Sequence, residues 1–291
     1  MKLQEFPHVY RLPKELKHKL WMYSVKKLLG KKILHQEKEA NQALRILAVS
    51  EGCIEKISNE ELTWQLKLFN QSIHVATRRY PSSDLGILFQ VLGKFEYQPI
   101  VDIVNTTDGY SKPLRIIDAG ANVGYTSVFF KAAFPTAKIL SLEVDKDNAA
   151  QIRKNIYLNG FKEIQIVQDA LWKNNANLEI KRDFRDQSEC SFYVEETNHD
   201  TGLKGHNLDY FLELNNWNLI DILKIDIEGA ERYLFENDEL ADKLLNKTKL
   251  LALEIHDEFN IRESIYKHLD RNKFTYFNHG DITIAQRQNN S

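Results

Sequence analysis

The amino-acid sequence predicts an α/β fold: a doubly wound, mostly parallel sheet of seven strands that ends in an antiparallel hairpin, preceded by an appendage of one helix and one β-hairpin. Two observations predict this class. Apolar, β-branched runs alternate with helical patterns from residue 115 onwards, which is the order of a parallel sheet with crossover helices. The first run leads into a turn bracketed by Gly120 and Gly124 that opens a helix, as happens at the ligand-binding edge of open α/β sheets.

The main domain is predicted to cover residues 84–291, and its elements follow from hydrophobic periodicity. Strands are expected at 115–118, 137–144, 164–168, 220–226, 250–255, 274–277 and 282–285. Helices are expected at 85–91, 125–134, 208–214, 230–236 and 261–271. Two short alternating segments at 178–181 and 190–194 predict an inserted hairpin, and the last two strands join across Gly280 to make the antiparallel finish.

The appendage, residues 1–83, differs in composition from the rest of the chain. Residues 1–34 contain nine lysines and arginines but only two glutamates, a net charge of +7. A helix is predicted there because apolar residues recur at helical spacing, namely Trp21, Val25, Leu28 and Leu29. Its basic face either is solvated beside the main domain or contacts an anionic membrane surface or an acidic substrate. Alternating apolar residues on both sides of Asn70 predict the β-hairpin.

Composition excludes several classes of protein. The 291 residues carry a net charge of −2, so no chain-wide basic surface attracts nucleic acid, and we expect no nucleic-acid partner. Cys53 and Cys190 have neither metal-ligand nor redox spacing, which is typical of a reducing compartment. No apolar run reaches the roughly 18 residues of a membrane span, and the N-terminus lacks the apolar core of a signal peptide. We therefore expect a cytoplasmic protein, with the inner face of a membrane as the alternative location; the sequence leaves the oligomeric state open.

The glycine turn is predicted to form a cofactor pocket, because glycine lets backbone approach a ligand closely. Its spacing lacks the third glycine of the dinucleotide motif, which argues against a pyrophosphate ligand and hence against a hydride-transferring dehydrogenase. The chain also has no P-loop motif. An adenosyl ligand without phosphates remains, and S-adenosylmethionine is the natural candidate. The predicted cofactor residues of this turn are Asp118, Gly120, Asn122 and Gly124.

Two further strand ends are predicted to complete the pocket. Glu143 ends the second strand about twenty residues after the glycine turn, where a carboxylate holds a ribose diol through two hydrogen bonds. Asp169 and Ala170 end the third strand, where a carboxylate and a backbone N–H can bind the adenine edge. Each acid taken singly has the alternative of being an exposed polar strand end. Together with the glycine turn, however, three strand ends are predicted to contact one ligand.

The chemistry is predicted at the ends of the fourth and fifth strands. Alternation puts Lys224, Asp226 and, if the strand continues, Glu228 on one side. Glu254 and His256 likewise share one side of the neighbouring strand. Such a concentration of charge is costly unless the groups pair, bind metal or take part in a reaction.

Methyl transfer explains this need, because a hydroxyl oxygen is a poor nucleophile until a base or a metal takes up its proton. We expect His256 to be the base, and Asp226 either orients it or, together with Glu228, holds a divalent cation such as Mg²⁺. His256 is then also a candidate metal ligand. In the alternative interpretation, Lys224 and Glu254 form an internal ion pair and His256 is a hydrogen-bonded part of the scaffold.

These motifs together resemble the FkbM-type family, a branch of the class I S-adenosylmethionine-dependent methyltransferases. The resemblance is carried by residues 117–124, 223–231 and 254–256, and it spans the chain from residue 84 to the C-terminus. It implies a Rossmann-like methyltransferase sheet and O-methylation of hydroxyl groups on polyketide-like or sugar-containing molecules, with glycans a recurrent context. The family pattern has a proline after the ribose-binding glutamate, whereas Val144 follows Glu143 here.

Two other functions make different demands on these motifs. A nucleobase N-methyltransferase needs an N/D-P-P-Y/F loop after the fourth strand, and residues 226–229 contain no proline. A scaffold protein that binds an adenosyl group without catalysis would show a damaged pocket, yet the predicted acids are all present. We therefore expect an O-methyltransferase whose acceptor is a hydroxylated small molecule or glycan, and the silent scaffold is kept as the alternative.

Overall fold

A computed structural model describes residues 3–181 and 193–288 of the chain. The chain forms two compact units: Met1–Glu96 with Tyr157–Gly160, and Tyr97–Ile156 with Phe161–Ser291. The larger unit thus begins at Tyr97, and the division at residue 83 that we draw from the sequence stays a prediction. Within the described parts of the chain, no helix has both the length and the apolar character that crossing a bilayer requires.

The smaller unit combines helices with a three-stranded antiparallel sheet. Its elements are a 3₁₀ helix Leu3–Arg11, α1 (Lys14–Leu28), α2 (His35–Ser50), β1 (Cys53–Ile57), β2 (Glu61–Leu68), β3 (Gln71–Arg78) and α3 (Asp84–Gly93). The predicted hairpin is confirmed as β2 and β3. Phe69 and Asn70 make its turn, both with left-handed backbone (φ 48° and 63°), as a two-residue hairpin requires. The sequence patterns did not indicate α2 and β1.

The predicted N-terminal helix is present as α1, but the apolar residues that predict it are not the ones that it buries. Leu16 and Leu20 are its buried residues, whereas Trp21 is 60% exposed and Leu28 86% exposed. Two apolar stripes on this helix satisfy the same periodicity, and the choice between them is made by α2, against which α1 packs. Because α2 was not predicted, the sequence offered no means of choosing.

The larger unit contains the remaining elements. In chain order these are α4 (Gln98–Thr106), β4 (Arg115–Ala119), α5 (Tyr125–Ala133), β5 (Lys138–Leu142), α6 (Lys146–Asn159), β6 (Ile164–Val167), β7 (Ala170–Leu171), β8 (Ala176–Lys181), β9 (Tyr193–Glu196), β10 (Lys204–His206), α7 (Leu208–Asn215), β11 (Ile220–Ile225), α8 (Glu231–Leu234), α9 (Asp238–Asn246), β12 (Thr248–Glu254), a 3₁₀ turn Asp257–Phe259, α10 (Arg262–Arg271), β13 (Phe274–His279) and β14 (Ile282–Arg287). The predicted helix at 230–236 is shortened to α8, and α9 follows it as a separate helix capped by the side chain of Asn237.

Seven strands of this unit form one sheet in the order β13-β14-β12-β11-β4-β5-β6. β6, β5, β4, β11 and β12 are parallel, and β14 runs antiparallel to both of its neighbours. This confirms the predicted doubly wound, mostly parallel class with its antiparallel C-terminal hairpin. All six residues of β11 are buried, as expected for a strand covered on both faces.

The two faces of the sheet bury different side chains, because neighbouring residues of a strand point to opposite faces. Ile117 and Leu223 belong to an apolar core that includes side chains of α7, α9 and α10. The next residues along each strand, Asp118 and Lys224, point to the face where Ser127 of α5 lies. A polar row therefore crosses the sheet, since Lys224, Asp118 and Ser141 are register partners on β11, β4 and β5.

A four-stranded sheet in the order β7-β10-β8-β9 is inserted between β6 and α7. The predicted inserted hairpin is confirmed for its described part, because β8 and β9 pair antiparallel with Lys181 opposite Tyr193. Residues 182–192 lie outside the described residues, and with them Cys190 and the first part of the predicted strand 190–194. Trp172 belongs to the small core of this sheet, and its Nε1 donates to Glu196 at 2.8 Å.

The entry into the central strands is held by Asp221, a fully buried carboxylate on β11. Its oxygens accept hydrogen bonds from the backbone N–H groups of Ser111 and Arg115, both at 2.9 Å. The ammonium of Lys249 on β12 donates to it at 2.8 Å. One side chain therefore joins the segment that enters β4 to both β11 and β12.

We expect Asp221→Ala to lower the free energy of unfolding by about 3 kcal/mol, because two N–H donors and an ammonium lose their acceptor. Urea denaturation followed by circular dichroism measures this change. Asp270→Ala is the matched control, since Asp270 is exposed on α10, and its loss should alter stability by less than about 0.5 kcal/mol. Equal stability of Asp221→Ala and the wild type would contradict the role assigned to this carboxylate.

Candidate active site

The turn after β4 brings the backbones of two strands into contact. Gly120 has a positive φ of 74°, and a Cβ placed on it would lie 1.7 Å from the carbonyl oxygen of Asp226. The N–H of Asp226 in turn donates to the carbonyl of Ala119 at 3.1 Å. Only glycine permits this approach. Gly120 is therefore required by the end of β11 as well as by any ligand in the turn.

Lys224 holds the same turn in place. Its buried ammonium donates to the carbonyl of Gly120 at 2.7 Å and lies 3.3 Å from Asp118 Oδ1 and 3.5 Å from Asp226 Oδ2. Burial alone would lower the pKa of Lys224, but the charges of Asp118 and Asp226 outweigh burial and raise that pKa. Lys224 therefore stays charged, and it acts as a positioning residue rather than in the chemistry for which it is predicted. Its carboxylate partners are Asp118 and Asp226, not Glu254 as in the alternative interpretation.

Asp118 and Gly124 support the turn without lining the cavity beside it. Asp118 is fully buried, and its Oδ2 accepts a hydrogen bond from Ser127 Oγ at 2.6 Å. Gly124 has a φ of 84°, and a Cβ there would meet Ile152 at 3.0 Å. The sequence predicts direct cofactor contacts for both residues, whereas in the structure neither of them lines the cavity.

A cavity opens at the carboxyl ends of β4, β5 and β11. Its lining includes seven residues predicted for the site: Gly120, Asn122, Glu143, Asp169, Ala170, Asp226 and Glu228. The sequence patterns did not indicate two other lining residues, Tyr193 and Val194, which β9 of the inserted sheet supplies. The ends of neighbouring parallel strands and the inserted sheet therefore form this cavity together.

Glu143 lines the cavity and is only 3% exposed. Its Oε2 accepts the N–H of Asn122 at 2.7 Å, and its Oε1 accepts the N–H of Asp145 at 2.8 Å. Burial raises the pKa of Glu143 to about 8, although the two N–H groups and the charge of Lys224 act in the opposite direction. Each oxygen keeps a second lone pair, so the carboxylate can also accept both hydroxyls of a ribose diol.

Asp169 is held at the cavity wall by β10. Its Oδ1 accepts the N–H of Lys204 at 3.1 Å, and its Oδ2 lies 3.6 Å from Nε2 of His206. The His206 ring stacks on Tyr210 with 3.7 Å between the ring centroids, which restrains the imidazole in turn. Asp169 is therefore a positioned acceptor beside the first residue of β7, Ala170.

A second polar cluster lies where the parallel neighbours β11 and β12 end. Asp226, Glu254 and His256 each offer one ligand atom, and these three atoms lie within 4.8 Å of one another. This set differs from the predicted metal set in having Glu254 in place of Glu228. The reason is that β11 ends at Ile225 and Glu228 has left-handed backbone with φ 53°, so the strand alternation does not extend to it. Glu228 instead approaches Nε2 of His256 with Oε2 at 3.6 Å.

Glu231 is a residue of this cluster to which the sequence patterns assigned no role. It is fully buried at the start of α8. Its Oε1 accepts two hydrogen bonds of 2.9 Å from His256, one from the backbone N–H and one from Nδ1. The ring is thereby oriented with Nε2 free for the other carboxylates. The available signal was an acid placed three residues after Glu228, in the first turn of the predicted helix 230–236.

The charge state of His256 is set by the acids around it. Burial alone would lower its pKa, but hydrogen bonds to Glu228 and Glu231 and the charge of Asp226 outweigh burial and raise that pKa to about 10. An imidazolium has no lone pair with which to take a proton. The predicted role of His256 as the base therefore does not agree with this arrangement. The ring becomes a ligand only when its Nε2 proton is displaced, as metal binding does.

The chain matches a known family over most of the larger unit. Residues 118–281, more than half of the chain, match the family described as the methyltransferase FkbM domain. The chain is also 26% identical over 136 residues to Methyltransferase 1 of Beauveria bassiana, in an alignment that covers 40% of this chain and 55% of that protein. The match therefore spans little more than half the length of that relative.

Solved structures with a distant likeness include two proteins. The SAM-dependent methyltransferase from Agrobacterium tumefaciens aligns over 74% of this chain and 60% of its own, at 13% identity and a TM-score of 0.42. The N-terminal domain of human METTL16 in complex with SAH aligns over 94% of this chain and 93% of its own, at 15% identity and a TM-score of 0.45.

We expect Gly120→Ala to weaken binding of S-adenosylhomocysteine at least about tenfold, because the added methyl displaces the turn from the Asp226 carbonyl into the cavity. Isothermal titration calorimetry measures the affinity. Gly280→Ala is the matched control: Gly280 also has a positive φ, of 62°, but nothing lies within 4 Å of its Cβ. It therefore carries only the left-handed strain of roughly 1–2 kcal/mol and should bind like the wild type. Wild-type affinity in a folded Gly120→Ala protein would remove the turn from the cofactor site.

We expect the affinity for S-adenosylhomocysteine to fall on the order of tenfold from about pH 8.5 to about pH 6.5. The sign follows from the raised pKa of Glu143, about 8, since the carboxylate that accepts the diol predominates above that pH and is lost below it. Titration calorimetry across this interval measures the profile. Glu143→Gln, which does not titrate, should give a weaker but flatter profile, and Glu143→Ala should lose at least about 1.5 kcal/mol of binding. A wild-type profile as flat as that of Glu143→Gln would place the diol elsewhere.

Proposed function

The chain belongs to the FkbM methyltransferase family, and we propose that it transfers the methyl group of S-adenosylmethionine to a hydroxyl group of a sugar, a glycan or a related hydroxylated metabolite. One observation carries this proposal: a cavity lined by predicted cofactor residues and a carboxylate–imidazole cluster share one edge of the sheet. Asp226 lines the cavity and belongs to the cluster, and Glu228 lines the cavity and contacts His256.

The cofactor half of the proposal rests on the strand ends. Glu143 accepts the two ribose hydroxyls, and Asp169 with the N–H of Ala170 binds the adenine edge. The turn at Gly120 leaves room for the rest of the ligand beside the end of β11. Since a sulfonium methyl needs no activation by the protein, the main task of the chain is to hold the acceptor oxygen in line with it.

The acceptor half rests on Asp226, Glu254 and His256, which we propose hold a divalent cation. Two carboxylates and an imidazole within 4.8 Å of one another suit ions such as Mg²⁺, Mn²⁺ or Zn²⁺. Glu231 supports the imidazole through Nδ1, as a carboxylate commonly does behind a metal-bound histidine. A cation held there would lower the pKa of a hydroxyl group that ligates it.

The proton of the acceptor hydroxyl needs a group of the site to receive it. Glu228 fits this role, because its carboxylate lines the cavity and is not a member of the set of three metal ligands. Its left-handed backbone conformation turns it away from the strand and towards His256. In this assignment Glu228 is the base, and His256 is a ligand that Glu231 orients.

The carboxylate outside the proposed cation set suits a hydroxylated acceptor. Glu228 lines the cavity and is not one of the three proposed ligands. Sugar hydroxyls donate strong hydrogen bonds to carboxylate oxygens.

We expect labelled methyl groups to pass from S-adenosylmethionine to members of a panel of hydroxylated sugars and glycans. His256→Ala and Glu254→Gln should lower this transfer at least about 100-fold, yet leave the affinity for S-adenosylhomocysteine nearly unchanged, because neither residue lines the cavity. His279→Ala and Glu263→Gln, which change the same residue types outside the cluster, are the matched controls. The cation has its own readout: calorimetry with Mn²⁺ should show binding to the wild type that both cluster variants weaken at least about tenfold.

The outcomes separate the parts of the proposal. Binding of S-adenosylhomocysteine without transfer to any hydroxylated acceptor would favour the silent scaffold. Failure to bind it at all would overturn the methyltransferase proposal. Full transfer by both cluster variants would remove the cluster from the reaction, and unchanged Mn²⁺ affinity in those variants would remove the cation site.

A further inference from the structure

The solvent-facing side of α1 and the residue that follows this helix carry large exposed apolar side chains. Trp21 is 60% exposed, Leu28 86% and Leu29 59%. Trp21 and Leu28 are seven residues apart, about two helical turns, so both lie on the same side of the helix. The buried residues Leu16 and Leu20 lie on another side, and α1 packs against α2. α1 is thus apolar on two sides, one of which is open to solvent in the described part of the chain.

The stretch that carries these side chains is strongly cationic. Six of its lysines are exposed: Lys14, Lys17, Lys27, Lys31, Lys32 and Lys38. The two acids between residues 14 and 38 are already engaged, since Glu15 pairs with Lys19 and Arg79, and Glu37 pairs with Lys26. Among the described residues, the six exposed lysines form no ion pair, and their charge faces solvent.

This combination of apolar and cationic groups discriminates between partners. A nucleic acid would neutralise the lysines but leave Trp21, Leu28 and Leu29 in water. A second copy of this chain would cover the leucines but bring two sets of lysines together across the symmetry axis. The surface of an anionic bilayer offers negative headgroups and an apolar interior next to each other, and tryptophan is enriched at that boundary.

We propose that Trp21, Leu28 and Leu29 with the exposed lysines around them, together called the α1 patch, bind the surface of an anionic membrane. α1 lies in the plane of the interface, with its indole and leucine side chains below the headgroups and its lysines at the level of the phosphates. The helix has 15 residues, fewer than the roughly 20 that span a bilayer, so the contact is peripheral. Nothing in this proposal depends on the identity of the methyl acceptor.

Tryptophan fluorescence tests the α1 patch directly, because Trp21 is the exposed member of the four tryptophans. Trp64, Trp172 and Trp217 are 0%, 2% and 8% exposed. The full chain is mixed with phosphatidylcholine vesicles that contain phosphatidylserine and, separately, with vesicles of phosphatidylcholine alone. We expect a blue shift of the emission and co-sedimentation with the anionic vesicles, both reduced by added salt.

Variants identify the groups responsible. Leu28→Ser with Leu29→Ser should weaken co-sedimentation at least about tenfold, whereas Leu214→Ser with Leu219→Ser, which alters two leucines that are 45% and 38% exposed elsewhere, should bind like the wild type. Lys27→Glu with Lys31→Glu and Lys32→Glu should abolish the preference for anionic vesicles.

Three results would overturn the proposal. The first is a wild-type protein that does not bind anionic vesicles at low salt. The second is wild-type binding by the double variant at Leu28 and Leu29. The third is a lipid-free dimer that this double variant loses, which sedimentation velocity would detect and which would assign the α1 patch to a second copy of the chain.

Discussion

The site depends on the contacts of the buried Lys224 ammonium. This ammonium lies between the carboxylates of Asp118 and Asp226 and donates to the carbonyl of Gly120. Asp118 lies one residue before the end of β4, and Asp226 directly follows β11. One buried charge therefore holds together the ends of the two central strands beside the cavity. Burying an ammonium costs several kcal/mol unless such partners surround it. The lysine and the two acids therefore stabilise the site only together, because each of them alone would be a buried charge without its partner.

Charge compensation also organises the other side of the site. Four acids, Asp226, Glu228, Glu231 and Glu254, gather near the imidazole of His256. A second proton on this ring gives it a positive charge, which offsets part of the negative charge of the acids. The pKa of His256 is high for this reason. A divalent cation would offset the same charge, so proton and cation compete for the ring. Binding of a cation at the cluster would therefore release a proton.

A large part of this arrangement follows from the order of the strands. Right-handed crossovers bring the carboxyl ends of all parallel strands to one edge, so residues that end different strands must meet there. For this reason Glu143, Asp169 and Asp226, far apart in the chain, could be assigned to one site before any contact was known. Glu254 and His256 follow by the same rule from the pairing of β11 with β12.

The sequence by itself determined the class of the fold, the edge of the sheet that carries the polar groups, and the glycine turn that follows the first strand of the sheet. Only the tertiary structure decided which of these groups touch the cavity, that Asp118 lies behind the turn, that Glu231 orients His256, and that α1 buries Leu16 rather than Trp21. The physical reason is that periodicity specifies the direction of a side chain relative to its own helix or strand. Contacts, burial and pKa values depend instead on distances to other elements, and no local pattern encodes those distances.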